Sequence, residues 1–157
     1  MGSFMSAEMK MSEMGLAMVR EHVGLRLSAY RCPAGVWTIG YGHTSGVSEG
    51  MRIDLGQAER FLLDDIGVAE DAVKRLIVVP LKQGQFDALV DFVVNLGSKA
   101  LRGSTLRRLL NEKNYDAAAQ EFGKWVYARD GRKGRKVALP GLIARREDER
   151  VLFEVGA

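Results

Sequence analysis

The 157-residue sequence has little cysteine and proline and no long apolar run. Cys32 is the only cysteine, which excludes an intrachain disulfide and the class of small secreted domains built on disulfide frameworks. The opening MGSFMSAEMKMSEMG holds most of the methionines but has neither the apolar core of a signal peptide nor a membrane-spanning length. We therefore predict no signal peptide and no membrane anchor. We expect residues 1–12 to be a leader or disordered, and residues 13–157 to form a single domain.

The charge balance of the chain excludes few classes of binding partner. Lysine and arginine number 23 against 20 for aspartate and glutamate, giving a formal charge of +3, and 46% of residues are hydrophobic. This composition is typical of a packed globular protein and permits an anionic partner without identifying one. The basic run at residues 129–136 has two interpretations, a solvated loop or a patch for an anionic polymer or membrane surface. We predict no nucleic-acid binding, because the run has no interleaved aromatic residues.

Spacing and turn residues predict an order of elements along the chain. Leu16, Val19 and Val23 share one helical face, and Gly24 is a plausible stop. The glycines and β-forming residues between 25 and 48 indicate a small antiparallel sheet. Asp54 is a suitable N-cap for a long helix over about 55–78. After residue 81 the pattern is helical, with apolar stripes at Phe86, Leu89, Val90 and Val93, at Leu106, Leu109 and Leu110, and in a last helix held by Leu142, Ile143, Leu152 and Phe153.

Two side chains in the predicted sheet suit the cleavage of sugars. Hydrolysis of a glycosidic bond needs a proton donor for the leaving oxygen and a second group that positions water or attacks the anomeric carbon. Cys32 and Thr38, a thiol and a hydroxyl, are candidates for the second group. The donor is expected at the end of the first helix.

The segment GLRLSAYRCPAGVWTIGYGHT resembles the active-site segment of phage-type lysozymes, the endolysins that cut bacterial peptidoglycan. The later segments LKQGQFDALVDFVVNLG, GSTLRRLLNEKNYDAAAQEFGKW and PGLIARREDERVLF resemble that family's later helices in the same order. The likeness runs from about Glu13 to Phe153. It implies a lysozyme-like α+β fold: a sheet-bearing lobe over about 13–55, a connecting helix over 55–78, and a helical lobe over 80–155, with a glycan cleft between the lobes.

The resemblance also implies the catalytic positions. The family pattern is a Glu, an Asp or Cys nine residues later, and a Thr six residues further, so Cys32 and Thr38 match while Val23 falls on the Glu. Helical residues advance by about 100° each, so Glu21 and His22 point away from the direction of residue 23, and we expect neither to replace the acid. A Glu at the end of an apolar stripe would be partly desolvated and would keep its proton near neutral pH. Valine fills the volume and donates no proton.

Each candidate also has a structural interpretation. Val23 fits a core position, Cys32 a small buried residue, and Thr38 an ordinary strand residue. By resemblance, Tyr41 and His43 bind substrate, although His43 also suits a role in shaping the turn. A further set resembles cleft-lining or helix-start positions, with helix capping as the alternative: Asn95, Ser104 and Thr105.

Two late arginines complete the predicted site. Arg145 and Arg146 resemble family arginines of which one pairs with the catalytic Glu. If so, Val23 would leave a partly buried cation without a partner. Such a loss lowers the free energy of unfolding by about 3 to 5 kcal/mol when burial is complete.

The resemblance implies peptidoglycan as substrate, cut between N-acetylmuramic acid and N-acetylglucosamine, with no cofactor and no metal. It further implies synthesis in the host cytoplasm, action in the periplasm, a holin-type partner for release, and a monomer. Because the acid is missing, we expect this chain to be inactive or strongly impaired. The alternative is a non-catalytic peptidoglycan-binding protein.

Overall fold

The computed structural model describes residues 8–129 and 136–155. Within these residues the elements follow in the order α1 (Glu13–Val23), β1 (Arg26–Arg31), β2 (Trp37–Gly40), α2 (Leu55–Leu76), α3 (Gln83–Leu96), α4 (Ser98–Arg102), α5 (Thr105–Asn111), α6 (Tyr115–Glu121), a short 3-10 turn (Phe122–Lys124), β3 (Tyr127–Arg129), β4 (Lys136–Ala138) and α7 (Pro140–Val155). The strands form two antiparallel hairpins, β1 with β2 and β3 with β4.

Helix α1 is bounded by two caps. The Ser12 hydroxyl accepts a hydrogen bond from the Gly15 N–H at the start, and Gly24 closes the end with a φ of 76°. Leu16 and Val19 are buried on its inner face, as their spacing predicts. The helix therefore delivers Val23, its last residue, to the point where the chain turns into β1.

The residues just before α1 belong to the core. Met9 and Met11 are buried in the main hydrophobic cluster, and the Met11 N–H donates to the Glu70 carboxylate at 2.6 Å. The expectation that residues 1–12 lie outside the fold is therefore wrong for residues 9–12. Unbranched methionine side chains adapt to gaps between helices, and the count of methionines alone does not reveal this. Residues 1–7 lie outside the described part of the chain.

The first hairpin packs over a small cluster of its own. Tyr30 lies opposite Thr38 and Arg31 opposite Trp37, and the small cluster contains Ile39 with residues 53 and 58. Helix α2 contributes Ala58 to this small cluster and Leu62, Ile66, Ala69 and Val73 to the main one. The long helix therefore connects the two cores, and its predicted capping box, with Asp54 and Gln57, is confirmed.

Helix α3 is the centre of the main cluster. Its predicted stripe is fully buried except for slight exposure of Val93, and α7 packs against it. Phe153 holds α7 to this core as predicted, but Ile143 is 47% exposed and the expectation that it does so is wrong. The inner face of α7 carries buried arginines there instead.

The prediction of helical structure after residue 81, interrupted by a loop at the basic run, is wrong beside that run, where the β3–β4 hairpin pairs Tyr127 with Ala138 and residue 128 with Val137. The basic run between these strands lies largely outside the described residues, at 130–135. No helix among the described residues is long and apolar enough to cross a membrane.

Candidate active site

Val23 faces the turn that follows β2. It is half-buried against the main cluster, and its Cγ1 atom lies 3.0 Å from the point that a Cβ atom on Gly42 would occupy. Gly42 has a φ of +79°, a conformation that glycine adopts at little cost. The position predicted for the acid is therefore in close contact with the Gly40–His43 turn.

We expect Gly42→Ala to lower the free energy of unfolding by roughly 1 to 3 kcal/mol, because it adds a left-handed alanine and a Cβ contact with Val23. The matched control is Gly67→Ala inside α2, where a Cβ atom has nothing within 4 Å. That change should stabilise the chain by about 0.5 to 1 kcal/mol. Urea unfolding of both variants measures the difference, and a Gly42→Ala protein as stable as the parent would contradict the expected contact.

Cys32 and Thr38 meet at the backbone of Val36. The Cys32 N–H donates to the Val36 carbonyl at 3.0 Å, and the Thr38 hydroxyl donates to the same carbonyl at 2.9 Å. Thr38 is buried while Cys32 is half-exposed. Hydrogen bonds from the backbone N–H groups of Val36 and Ala34, with a smaller one from Thr38, lower the pKa of the Cys32 thiol below its ordinary value. The hairpin therefore brings these two predicted residues together and favours the thiolate.

The lowered pKa predicts the pH dependence of Cys32 alkylation. The thiolate is the reactive form, and its fraction rises as the pH passes the thiol pKa. The rate of alkylation should therefore reach half its maximum at a lower pH in the folded chain than in the urea-unfolded chain. Thr38→Val should move that midpoint part of the way back. Coincident midpoints for folded and unfolded chain would show that the hairpin does not favour the thiolate.

The two neighbours of Val23 are placed elsewhere. Glu21 is exposed, and His22 lies with its Nε2 atom 2.7 Å from Asp148 on α7. His22 thus contacts the helical part of the molecule and ties the end of α1 to α7.

His43 joins the turn to helix α2. It is buried, its Nδ1 atom lies 2.8 Å from the Asp65 carboxylate, and its ring stacks on Phe61 at 4.2 Å. Its backbone exchanges two hydrogen bonds with Ile39. These contacts agree with the turn-shaping alternative for His43.

A cavity of about 550 Å³ lies beside the same turn. Tyr41 and Gly42 line it on one side, α2 lines it with Asp65 and Asp71, and the end of α3 lines it with Val94. Tyr41 is half-buried and also packs against both hydrophobic clusters. Val23 does not line this cavity, but it lies next to Gly42, which does, so the position where the family pattern has its acid is adjacent to a lining residue.

Both late arginines contact an acidic side chain. Arg145 makes a bidentate pair with Asp91 at 2.7 and 2.9 Å, and Arg146 contacts Glu149 at 2.7 and 2.9 Å. The expectation that Val23 leaves one of these cations without a partner is therefore wrong. The partners were missed because Asp91 lies 54 residues before Arg145, in α3, and Glu149 follows the arginines within α7.

These four residues form one buried network. Burial opposes ionisation of Asp91, but hydrogen bonds from Glu149 and Arg145 hold the pKa of its carboxyl below its usual value. Burial and the neighbouring Asp91 raise the pKa of Glu149 well above its usual value. One signal was present in the sequence, since Asp91 interrupts the apolar run ALVDFVV, and an acid at such a place needs a buried partner.

The remaining predicted residues lie around the end of α3 and the start of α5. The Asn95 Oδ1 atom accepts a hydrogen bond from Arg146 at 2.8 Å. Ser104 has the N-cap role, because its hydroxyl accepts from the Arg107 N–H at 3.0 Å. Thr105 is exposed and lines a second cavity of about 390 Å³ with Trp125, Tyr127 and four other residues.

Comparison with known proteins places the chain in a family. The family model described as phage lysozyme matches residues 20–149. An endolysin of Acyrthosiphon pisum secondary endosymbiont phage 1 is 45% identical over 93% of this chain and 99% of its own length.

Solved structures agree with this match. The endolysin from Escherichia coli O157:H7 phage FAHEc1 has a TM-score of 0.86 and 36% identity, covering 96% of each chain. The muramidase domain of SpmX from Asticaccaulis excentricus has a TM-score of 0.85 and 39% identity, covering 92% of this chain and 97% of that one. The predicted lysozyme-like α+β class is confirmed, and the chain belongs to the phage lysozyme family.

Proposed function

We propose that this chain binds the glycan strands of bacterial peptidoglycan in the cavity beside Tyr41 and Gly42, and that its hydrolysis of the β-1,4 bond between N-acetylmuramic acid and N-acetylglucosamine is strongly impaired. The contact between Val23 and Gly42 carries the proposal. It puts a side chain without an acidic proton next to Gly42, a residue that lines the cavity, in the position where the family pattern has a Glu. Cys32 and Thr38 are retained on the adjoining hairpin.

In this proposal Cys32 and Thr38 keep the roles that the family pattern implies. The thiolate favoured at Cys32 would position water or attack the anomeric carbon, and the buried Thr38 hydroxyl would orient that water. A leaving oxygen that receives no proton departs slowly, so the retained pair alone supports little turnover.

The proposal includes the route to the substrate that the name endolysin suggests for the relatives. The chain would be made in the host cytoplasm, would reach the periplasm once a holin-type partner permeabilises the membrane, and would act as a monomer. The formal charge of +3 suits a polymer that carries stem-peptide carboxylates.

Sedimentation with purified sacculi tests the binding. We expect the chain to pellet with sacculi while releasing little soluble product. Ser45→Glu, which adds bulk and negative charge inside the cavity, should reduce the pelleted fraction severalfold, a loss of about 1 kcal/mol. Ser48→Glu is the matched control, since it adds the same charge on the same exposed loop without lining the cavity. Equal binding by both variants would contradict the assignment of this cavity.

The second candidate function is a peptidoglycan-binding protein with no catalytic role. The position of Val23 favours this non-catalytic function as much as an impaired enzyme, because valine also completes the buried face of α1. The effect of a restored acid at residue 23 on muropeptide release separates the two functions.

A further inference from the structure

The last turn of α1 carries two basic side chains, and each contacts a carboxylate on a different helix. Arg20 makes a bidentate contact with Glu59 on α2, where its Nη2 and Nε atoms lie 2.7 and 3.0 Å from the two carboxylate oxygens. The Nε2 atom of His22 lies 2.7 Å from the Asp148 carboxylate on α7. A carboxylate only accepts hydrogen bonds, so the Nε2 atom of His22 must be the donor. The end of α1 is therefore joined to both α2 and α7.

These two contacts lie on opposite sides of α1. Helical residues advance by about 100° each, so Arg20 and His22 point about 200° apart. A rotation of the helix end about its axis moves both side chains relative to the carboxylates that they contact. The contacts with Glu59 and Asp148 therefore resist such a rotation.

The direction of the side chain at residue 23 depends on the same rotation. Val23 is the last residue of α1, and the chain leaves the helix at Gly24, whose N–H donates to the Arg20 carbonyl at 2.9 Å. The Val23 Cγ1 atom lies 3.0 Å from the point that a Cβ atom on Gly42 would occupy. A rotation of about 20° moves a side-chain atom that is about 3 to 5 Å from the helix axis by about 1 to 2 Å. The contact with Gly42 is therefore sensitive to a small turn of α1.

The helix that carries Asp148 is a firm support. Arg145 and Arg146 on α7 are buried, and Arg145 makes its bidentate pair with Asp91 on α3. His22 is 15% exposed in its side chain, whereas the side chain of Asp148 is 56% exposed. Replacement of Asp148 therefore removes the contact with His22 without opening the core beneath α7.

We infer, on the basis of the proposed function, that Asp148 is a positioning residue for the reaction, and that through His22 it fixes the direction of the side chain at residue 23, where the proton donor belongs. Asp148 is not among the residues that line the cavity beside Tyr41, so it acts through α1 rather than on the glycan. A displacement of about 1 Å at a reacting group lowers the rate by up to about 100-fold.

The kinetics of Val23→Glu on solubilised peptidoglycan test the inference. Adding Asp148→Ala should lower kcat by about 10- to 100-fold and leave KM within about twofold, because the donor is displaced while the cavity is unchanged. Exchanging the partners, with His22→Asp and Asp148→His together, restores the contact and should recover most of kcat. Asp64→Ala is the matched control, since it removes an exposed acid on α2 that does not line the cavity, and it should change neither constant. An undiminished kcat with Asp148→Ala overturns the inference.

Proton NMR on the unchanged chain gives a readout that requires no activity. The close approach of Val23 to Gly42 predicts a nuclear Overhauser effect between the valine methyl protons and the glycine α protons. Asp148→Ala should weaken this signal severalfold, and the exchanged pair at residues 22 and 148 should restore it. Asp64→Ala should leave the signal as it is in the unchanged chain. A signal of full strength in Asp148→Ala would contradict the positioning role.

The two measurements separate this inference from the proposed function. If Val23→Glu is inactive but Asp148→Ala weakens the Val23–Gly42 signal, the proposal of an impaired enzyme fails and the positioning by Asp148 is supported. If Val23→Glu is active and neither kcat nor the signal responds to Asp148→Ala, the inference alone fails.

Discussion

Replacing Val23 with glutamate is expected to raise the release of soluble muropeptides from purified peptidoglycan by about 100- to 10000-fold, the usual contribution of a general acid. The new carboxyl group would stand at the end of α1, beside Gly42, which lines the cavity. Cys32 and Thr38 already stand on the adjoining hairpin. One substitution would therefore complete the family pattern.

The surroundings of residue 23 favour a protonated acid. The position is half-buried at the end of an apolar face formed with Leu16 and Val19. Partial burial disfavours the charged form of a carboxyl group and raises its pKa. The restored activity should therefore be lost as the pH rises through the pKa of the new glutamate.

Val23→Gln is the matched control for this prediction. Glutamine has the shape of glutamate but cannot donate a proton to the leaving oxygen, so it should leave the release at the level of the unchanged chain. Comparable release by the unchanged chain and Val23→Glu would show that the acid lies elsewhere. A Val23→Glu protein that binds sacculi but releases no more muropeptides than the unchanged chain would favour the non-catalytic binding function.

The partners of the two arginines change what Val23→Glu should do to stability. Arg145 is already paired with the Asp91 carboxylate and Arg146 already contacts Glu149, so a new glutamate meets no arginine without an acidic partner. It replaces a half-buried aliphatic group with a partly desolvated acid. We therefore expect no stabilisation of the chain by the restored acid through either of these arginines.

Local signals predicted the elements that carry the site. The spacing of Leu16 and Val19, the stop at Gly24 and the capping box at Asp54 each depend on a few neighbouring residues, and the structure has all of them. The meeting of Cys32 and Thr38 follows from the short hairpin between them. These features can be predicted because the residues that interact to form them are close in sequence.

Features that depend on partners distant in sequence could not be predicted from the sequence. The β3–β4 hairpin is set by pairing across the basic run, and its three-residue strands are too short to show an alternating pattern. The buried positions of Met9 and Met11 depend on packing against the main cluster. Arg145 meets Asp91 across 54 residues, and neither residue alone specifies the other.

That long-range pair gives the largest expected change in stability. Asp91→Ala should lower the free energy of unfolding by about 3 to 5 kcal/mol, because it leaves the Arg145 cation buried without its bidentate partner. It also removes the neighbour that hydrogen-bonds to Glu149. Denaturant unfolding followed by circular dichroism measures the loss.

Two further variants define the cause of that loss. Glu112→Ala breaks the exposed i,i+4 pair with Arg108 and should change the free energy of unfolding by less than about 1 kcal/mol, since both side chains are solvated. Asp91→Leu combined with Arg145→Met replaces the buried pair with apolar groups and should recover most of the stability lost in Asp91→Ala. If Asp91→Ala fails to fold, the stability of the double variant can still be measured and still tests the prediction. If the free energy of unfolding of Asp91→Ala lies within about 1 kcal/mol of the parent value, water or another carboxylate satisfies Arg145. The buried network would then not be what holds α7 on α3.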